Sequence, residues 1–272
     1  MIAIEAKTTT IPALGLGTFQ LSNDDAYRMA KAALNAGYTH IDTAQNYHNE
    51  EGVGAAIKEA EANRSDIFLT TKVWRDKMGR NDFLPSVEDS LRKLKTDYVD
   101  LLLIHWPNEN IPLQESVEEL MKAQEKGYAK SIGVSNFPIS LVEKTIQLGA
   151  NIITNQVEYH PLINQEKLYT YLRSEGITLT AYSPIAQGEV IGNETLKAIA
   201  DKYGKNEIQV SLRWLIQQEG VVAIPRTSKV ENMEANMQIF DFKLESDDME
   251  KISKLRDLNK RVVNPGFAPD WD

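Results

Sequence analysis

The chain has 272 residues, 42% hydrophobic and 25% charged, with a formal net charge of −9 and no cysteine. The acidic balance argues against a nucleic-acid partner, which needs a basic face. The missing cysteines exclude disulfides and thiolate metal sites, and no apolar stretch approaches the ~20 residues of a membrane span.

The opening residues, Met1 to Lys7, hold no basic segment leading into a long apolar run, so a secretory leader is not expected and a cytoplasmic chain is. Ile2 to Leu14 reads as a small hairpin able to plug the floor of a barrel. Short apolar runs then end near Gly17, Asp42, Lys72, His105, Val134, Val157, Ala181 and Ile224. Between and after them lie stretches of helical period: Asp24 to Asn35, Glu51 to Glu61, Phe83 to Leu94, Gln114 to Glu125, Ile139 to Leu148, Gln165 to Arg173, Glu194 to Lys202, Glu207 to Gln217, and Asp247 to Leu255 with Ser246 as its N-cap. Gly37, Gly127, Gly149 and Gly176 mark helix ends. Eight strands each followed by a helix predict an α/β fold, a single (β/α)8 TIM barrel over residues 1–272 with an N-terminal β-hairpin. An open doubly wound sheet is the rival, but Gly15-Leu16-Gly17-Thr18 lacks the third glycine of a dinucleotide fingerprint and does not open directly onto a helix. The tail from Arg261 to Asp272 has no periodicity and carries Phe267 and Trp271.

If the runs are parallel strands, Asp42, Tyr47, Lys72 and His105 emerge on one rim. Each has an ordinary alternative alone: a cap, a core tyrosine, a solvated charge, a satisfied histidine. Their co-location at three successive strand ends is the arrangement of a barrel active site. A phenol beside an ammonium is expected to have a lowered pKa and to serve as a proton donor. Asp42 would keep Lys72 charged and oriented, and His105 would hold the same carbonyl by a hydrogen bond. The set lacks a nucleophile and a metal, so a hydride would come from a cofactor.

The stretch Gly37 to Ala44, continuing through Tyr47, Asn49-Glu50 and Val53-Gly54, resembles the first signature of the aldo-keto reductases. Asp97 to Leu101 running into His105-Trp106-Pro107, Ser131 to Phe137, Asn155 to Pro161, Ala181 to Pro184 and Ile224 to Ser228 continue the match in order. The close, Arg261 to Asp272, is similar to the bacterial 2,5-diketo-D-gluconate reductases of that family. The resemblance implies NADPH-dependent carbonyl reduction with Tyr47 as general acid, Lys72 and Asp42 tuning it, and His105 orienting the substrate. It implies that Ser135, Asn136 and Gln156 hold the nicotinamide, with Tyr182 stacked on it and Asp42, Gly17 and Thr18 beside it. Ser183, Ile185 and Gln187 would meet the pyrophosphate. Arg226, Thr227, Ser228, Asn232 and Asn236 would meet the adenosine end.

Two departures touch the phosphate clamp. Arg226 stands where lysine is usual, and Asn232 and Ala235 replace an arginine and an acid, so NADH use stays open unless Lys229 contributes. Substrate walls are expected from Phe19, Gln20, Trp74, Trp106, Asn108 and the tail aromatics. The short segment Trp106 to Leu113 predicts a shallow, open pocket for small carbonyls such as keto-sugar acids or methylglyoxal. A monomer without metal, membrane or nucleic-acid partner is expected. The rivals are a nucleotide-binding regulatory barrel subunit with little turnover, and a Schiff-base aldolase or isomerase using Lys72.

Overall fold

The computed structural model describes residues 2–272. Its first two strands, β1 (Ala3–Ala6) and β2 (Thr9–Pro12), form an antiparallel hairpin. Ala6 and Ile11 point inward and pack with Leu101, Leu103, Ile153 and Val222. The hairpin therefore closes the floor of the sheet with apolar side chains, as its alternation predicts.

Eight parallel strands follow in sequential order: β3 (Leu16–Gly17), β4 (His40–Asp42), β5 (Phe68–Val73), β6 (Val99–Ile104), β7 (Ala129–Ser135), β8 (Thr154–Glu158), β9 (Thr178–Tyr182) and β10 (Val221–Ala223). Bridges from Leu14 to Ala223 and from Gly17 to Arg226 join the first strand to the last. The seam is bonded, with Gly15 N–H donating to Ala223 O at 2.9 Å and Gly17 N–H to Pro225 O at 3.0 Å. Gly17 is needed there, because a Cβ would lie 2.7 Å from the Ile224 carbonyl oxygen. All six residues of β6 are buried, as expected for a strand covered on both faces.

The outer layer is α1 (Asn23–Asn35), α2 (Glu50–Lys58), α3 (Phe83–Leu94), α4 (Leu113–Glu125), α5 (Ile139–Gln147), α6 (Glu166–Ser174), α7 (Glu194–Tyr203), α8 (Glu207–Gln217), α9 (Val230–Met237) and α10 (Ser246–Ser253). Local chemistry sets the ends. Ser22 Oγ accepts from Asp25 N–H at 3.1 Å, and α1 buries Ala26, Met29, Ala30 and Ala33 along one stripe. A reciprocal capping box between Asn206 and Gln209 starts α8. Three expectations are corrected. Helix α2 stops at Lys58 rather than Glu61, Glu245 rather than Ser246 is the N-cap residue of α10, and α9 had no counterpart in the sequence reading. The last buries only Met233 and Asn236, too few apolar positions to make a period visible.

His40 joins the floor to the barrel wall. Its ring is 1% exposed, with Nδ1 3.4 Å from Pro12 O and Nε2 3.4 Å from Thr70 Oγ1. Burial drives its pKa down to about 4, against a partial opposing pull from Asp42. An unfolded histidine titrates near 6.5, so on acidification the unfolded chain takes up this proton first. Stability contributed by the neutral ring is complete above that value and declines as pH falls toward 4, by on the order of 3 kcal/mol. Urea unfolding of wild type and His40→Gln between pH 6.5 and 4 should show a smaller acid loss in the variant. Identical pH dependence in the two proteins contradicts this assignment.

Candidate active site

Strand ends place the polar groups. Asp42 closes β4, Lys72 is the last but one residue of β5, and His105 follows β6 directly. Tyr47 ends a single 3-10 turn, Gln45–Tyr47, which the left-handed His48 terminates. Lys72 is 0% exposed, and its Nζ donates to Asp42 Oδ1 at 2.5 Å, Thr43 O at 2.9 Å and Tyr47 Oη at 3.2 Å. Those three bonds use all three ammonium hydrogens. The second Asp42 oxygen accepts from Gln156 Nε2 at 2.8 Å, so the carboxylate is held from both sides. A Schiff-base role for Lys72 has no support here, since the amine is enclosed and fully bonded.

The polarity of the last bond matters. Tyr47 Oη accepts from Lys72, so its own hydrogen is left for the cleft. The expected lowering of the phenol pKa is corrected: it is held well above the ordinary tyrosine value, first by burial and then by the Asp42 charge. Lys72 is engaged by Asp42 at 2.5 Å, and the phenol faces a nearly neutral pair. Burial likewise lowers the Lys72 pKa, with Asp42 pulling the other way. His105 is pushed well below the usual histidine value by burial and by the Lys72 charge, so its ring is neutral at physiological pH. His105 Nδ1 is buried without a partner, and Nε2 is the ring nitrogen open to the cleft. The ring stands edge-on to Tyr47, centroids 5.5 Å apart.

Asp42, Tyr47 and His105 line a cleft of about 860 Å³, with Lys72 behind them. Of the residues singled out from sequence, Gly17, Phe19, Gln20, Asp42, Tyr47, Trp74, His105, Trp106, Asn136, Gln156, Tyr182, Ser183, Ile185, Gln187, Arg226, Thr227, Ser228, Lys229 and Asn232 line it. Lys72, Thr18, Ser135 and Asn236 do not. Thr18 Oγ1 donates to Asp42 O at 2.9 Å, Ser135 Oγ to Gln156 O at 2.8 Å, and Asn236 is buried in α9. Asn108 is also turned away, its amide donating to Arg75 O at 2.7 Å.

Several linings suit a dinucleotide. Asn136 Oδ1 accepts from Tyr182 Oη at 2.8 Å, and Gln156, bonded to Asp42 through Nε2, leaves Oε1 open to the cleft. Gln20, Asn136, Ser183 and Gln187 line the cleft with φ of 60°, 62°, 45° and 55°. Left-handed backbone at non-glycine residues is costly and concentrates at binding sites. The turn through 183–188 is the kind of amide concavity that holds an anion. Arg226 and Lys229 give the far end positive charge.

On the other side, the tail supplies a wall, as expected of its aromatic Phe267. Val262, Val263, Asn264, Pro265 and Phe267 line the cleft. Phe267 stands edge-on to Trp74 at 5.9 Å and to Trp106 at 5.5 Å, and Trp271 lies 6.1 Å from Trp106. The tail aromatics thereby pack against Trp106 at the start of the short segment after β6. Asn46 also lines the cleft and was missed; its signal was adjacency to Tyr47.

The family model for the aldo/keto reductase family matches residues 13–257. The chain belongs to the aldo/keto reductase family. It is 42% identical over 267 residues to methylglyoxal reductase DkgB of Escherichia coli O157:H7, covering 96% of this chain and 99% of that protein. It is also 42% identical over 258 residues to glyoxal reductase of Bacillus subtilis (strain 168), covering 94% and 92%. A solved structure described as a candidate 2,5-diketo-D-gluconic acid reductase B superposes with a TM-score of 0.96 at 42% identity, covering 99% of this chain and 97% of that one. The protein is an oxidoreductase acting on carbonyl groups, and the regulatory reading has no support among these relatives.

Asp42→Leu leaves a fully buried ammonium without its counter-charge, which should cost about 3–5 kcal/mol. Removing both charges in Asp42→Leu/Lys72→Met should recover much of that loss. Denaturant unfolding checks both, and a single-variant loss under about 1 kcal/mol contradicts the buried pair.

Proposed function

We propose that this protein reduces small aldehydes and ketones with NADPH, and that Tyr47 delivers the proton. Methylglyoxal and keto-sugar acids are the substrate class that the names of its relatives support. The observation that carries the reading is the Lys72 Nζ donating to both Asp42 and Tyr47, which leaves the phenol hydrogen free for another acceptor.

Tyr47 keeps its proton at neutral pH because burial opposes the phenolate. It gives that proton up only where negative charge develops on a carbonyl oxygen, and Lys72 at 3.2 Å then stabilises the phenolate formed. Neutral His105 holds the carbonyl oxygen through Nε2 without competing as an acid. When bound, the reduced nicotinamide supplies the hydride. Asn136 and Gln156 would fix its carboxamide, with Ser135 bracing them from behind, and Tyr182 would cover its ring. The 183–188 turn would take the pyrophosphate. Arg226, Thr227 and Lys229 would meet the adenosine 2′-phosphate, Arg226 in bidentate fashion. Phe19, Trp74 and Trp106 would enclose the substrate. We read residues 1–272 as one barrel domain working as a cytoplasmic monomer. The closed sheet supports the single domain, and among the described residues no helix is long and apolar enough to cross a membrane.

Following NADPH oxidation by absorbance with methylglyoxal, Tyr47→Phe should lower kcat by about 10²–10⁴-fold, the usual range for losing a general acid. NADPH affinity, read from quenching of tryptophan fluorescence, should stay near wild type. Full turnover in this variant dismisses the acid. Arg226→Ala should weaken NADPH binding by about tenfold or more and leave NADH nearly unchanged, since one charged hydrogen bond to phosphate is worth about 1.5–3 kcal/mol. Equal loss for both cofactors contradicts the phosphate assignment.

A further inference from the structure

Glu158, the last residue of β8, is 0% exposed, and among the described residues no lysine or arginine is in direct contact with it, Arg261 acting on its charge only at longer range. Its carboxylate instead accepts three N–H groups. Oε1 takes His160 Nε2 at 2.9 Å and Val262 N–H at 2.7 Å, and Oε2 takes Val263 N–H at 2.8 Å. The Leu162 N–H donates to His160 Nδ1 at 3.2 Å, which leaves the ring hydrogen on Nε2 and aims it at Glu158. The bonds to the tail cross more than 100 residues of sequence and reach the two residues where the chain enters the cleft wall.

Position along the strand gives this contact its meaning. Glu158 lies two residues beyond Gln156, so both side chains leave the same face of β8, one layer apart. Across the sheet Glu158 is in register with Tyr182. Two successive backbone N–H groups held by the two oxygens of one carboxylate fix both the height and the direction of the segment. From there the chain runs through Asn264 and Pro265 to Phe267, which closes on Trp74 and Trp106. Its far end is tied less firmly, by Trp271 Nε1 to Asn264 Oδ1 at 3.0 Å and by the exposed Asp272 carboxylate to Ile139 N–H at 3.0 Å. Burying a carboxylate costs several kcal/mol before its bonds are counted. An apolar side chain would fill the same rim without that penalty, but could not orient a backbone.

We propose that Glu158 is a positioning residue for the carbonyl substrate, setting the Val262–Phe267 wall over the nicotinamide end of the cleft. The proposal rests on the reductase reading above. In Glu158→Gln one oxygen becomes an NH2 group, so one of the two tail amides meets a donor and loses its partner. The wall shifts while Tyr47, Lys72 and His105 keep their places.

Three measurements on the full chain test it. In Glu158→Gln the KM for an aromatic aldehyde that must lie against Phe267 should rise about tenfold, with kcat within threefold of wild type. Hydrogen exchange at the Val262 and Val263 amides should accelerate at least tenfold, with exchange in β4 to β7 unchanged. Phe267→Ala should show the same KM rise, and the double variant should be no worse than either single one, as expected when two residues act through one wall. Val263→Pro deletes one of the two donors and leaves Glu158 intact; it should reproduce the KM rise, and it stands as the test if Glu158→Gln does not fold. An unmoved KM, a fall in kcat equal to the change in kcat/KM, or multiplicative losses in the double variant would overturn the proposal. Wild-type protein that reduces no carbonyl at all sinks the reductase reading instead, and the exchange data then still report whether the latch exists.

Discussion

The site depends on one buried ion pair. Lys72 and Asp42 are almost wholly withdrawn from water and lie 2.5 Å apart. Withdrawing two charges is costly, and their attraction compensates only if the remaining hydrogen-bonding groups are also satisfied. Here they are: Thr43 O and Tyr47 Oη take the other ammonium hydrogens, and Gln156 takes the second carboxylate oxygen. Each of those partners is thereby fixed by the need to complete the pair. The pair thus positions the Tyr47 phenol on one side and a cleft-lining amide on the other, from strands far apart in sequence. Only a closed sheet brings β4, β5 and β8 around a common axis at the required depth.

The same low-dielectric floor determines protonation. It raises the phenol, lowers the imidazole and leaves one ammonium among three acceptors. A phenol of this kind stays protonated at neutral pH. Around this floor the chain accepts left-handed backbone at Gln20, Asn136, Ser183 and Gln187. The barrel supplies the rigidity that holds those conformations in place.

Most of the architecture was legible in the sequence because burial on both faces writes continuous apolar runs, and helices write their period and their glycine stops. The four clustered residues Asp42, Tyr47, Lys72 and His105 were legible for a related reason, since each interrupts or follows such a run. What escaped notice depended on tertiary partners. Helix α9 buries too little to show a period, and Ser246 loses the cap position to its neighbour. The tail aromatics could be named as candidate walls, but with no periodicity in the tail its course past Val262 and Val263, which bond to Glu158 more than 100 residues earlier, could not be read. The direction of the Tyr47 shift was misjudged because proximity to Lys72 was visible in the pattern, whereas the depth of burial that outweighs it was not.

Neutron diffraction on deuterated protein at neutral pH tests the central claim most directly. The account predicts three deuterons on Lys72 Nζ, none on either Asp42 oxygen, and one on Tyr47 Oη directed into the cleft. A neutral Lys72 amine beside a protonated Asp42, or a Tyr47 deuteron pointing back at Lys72, would contradict it.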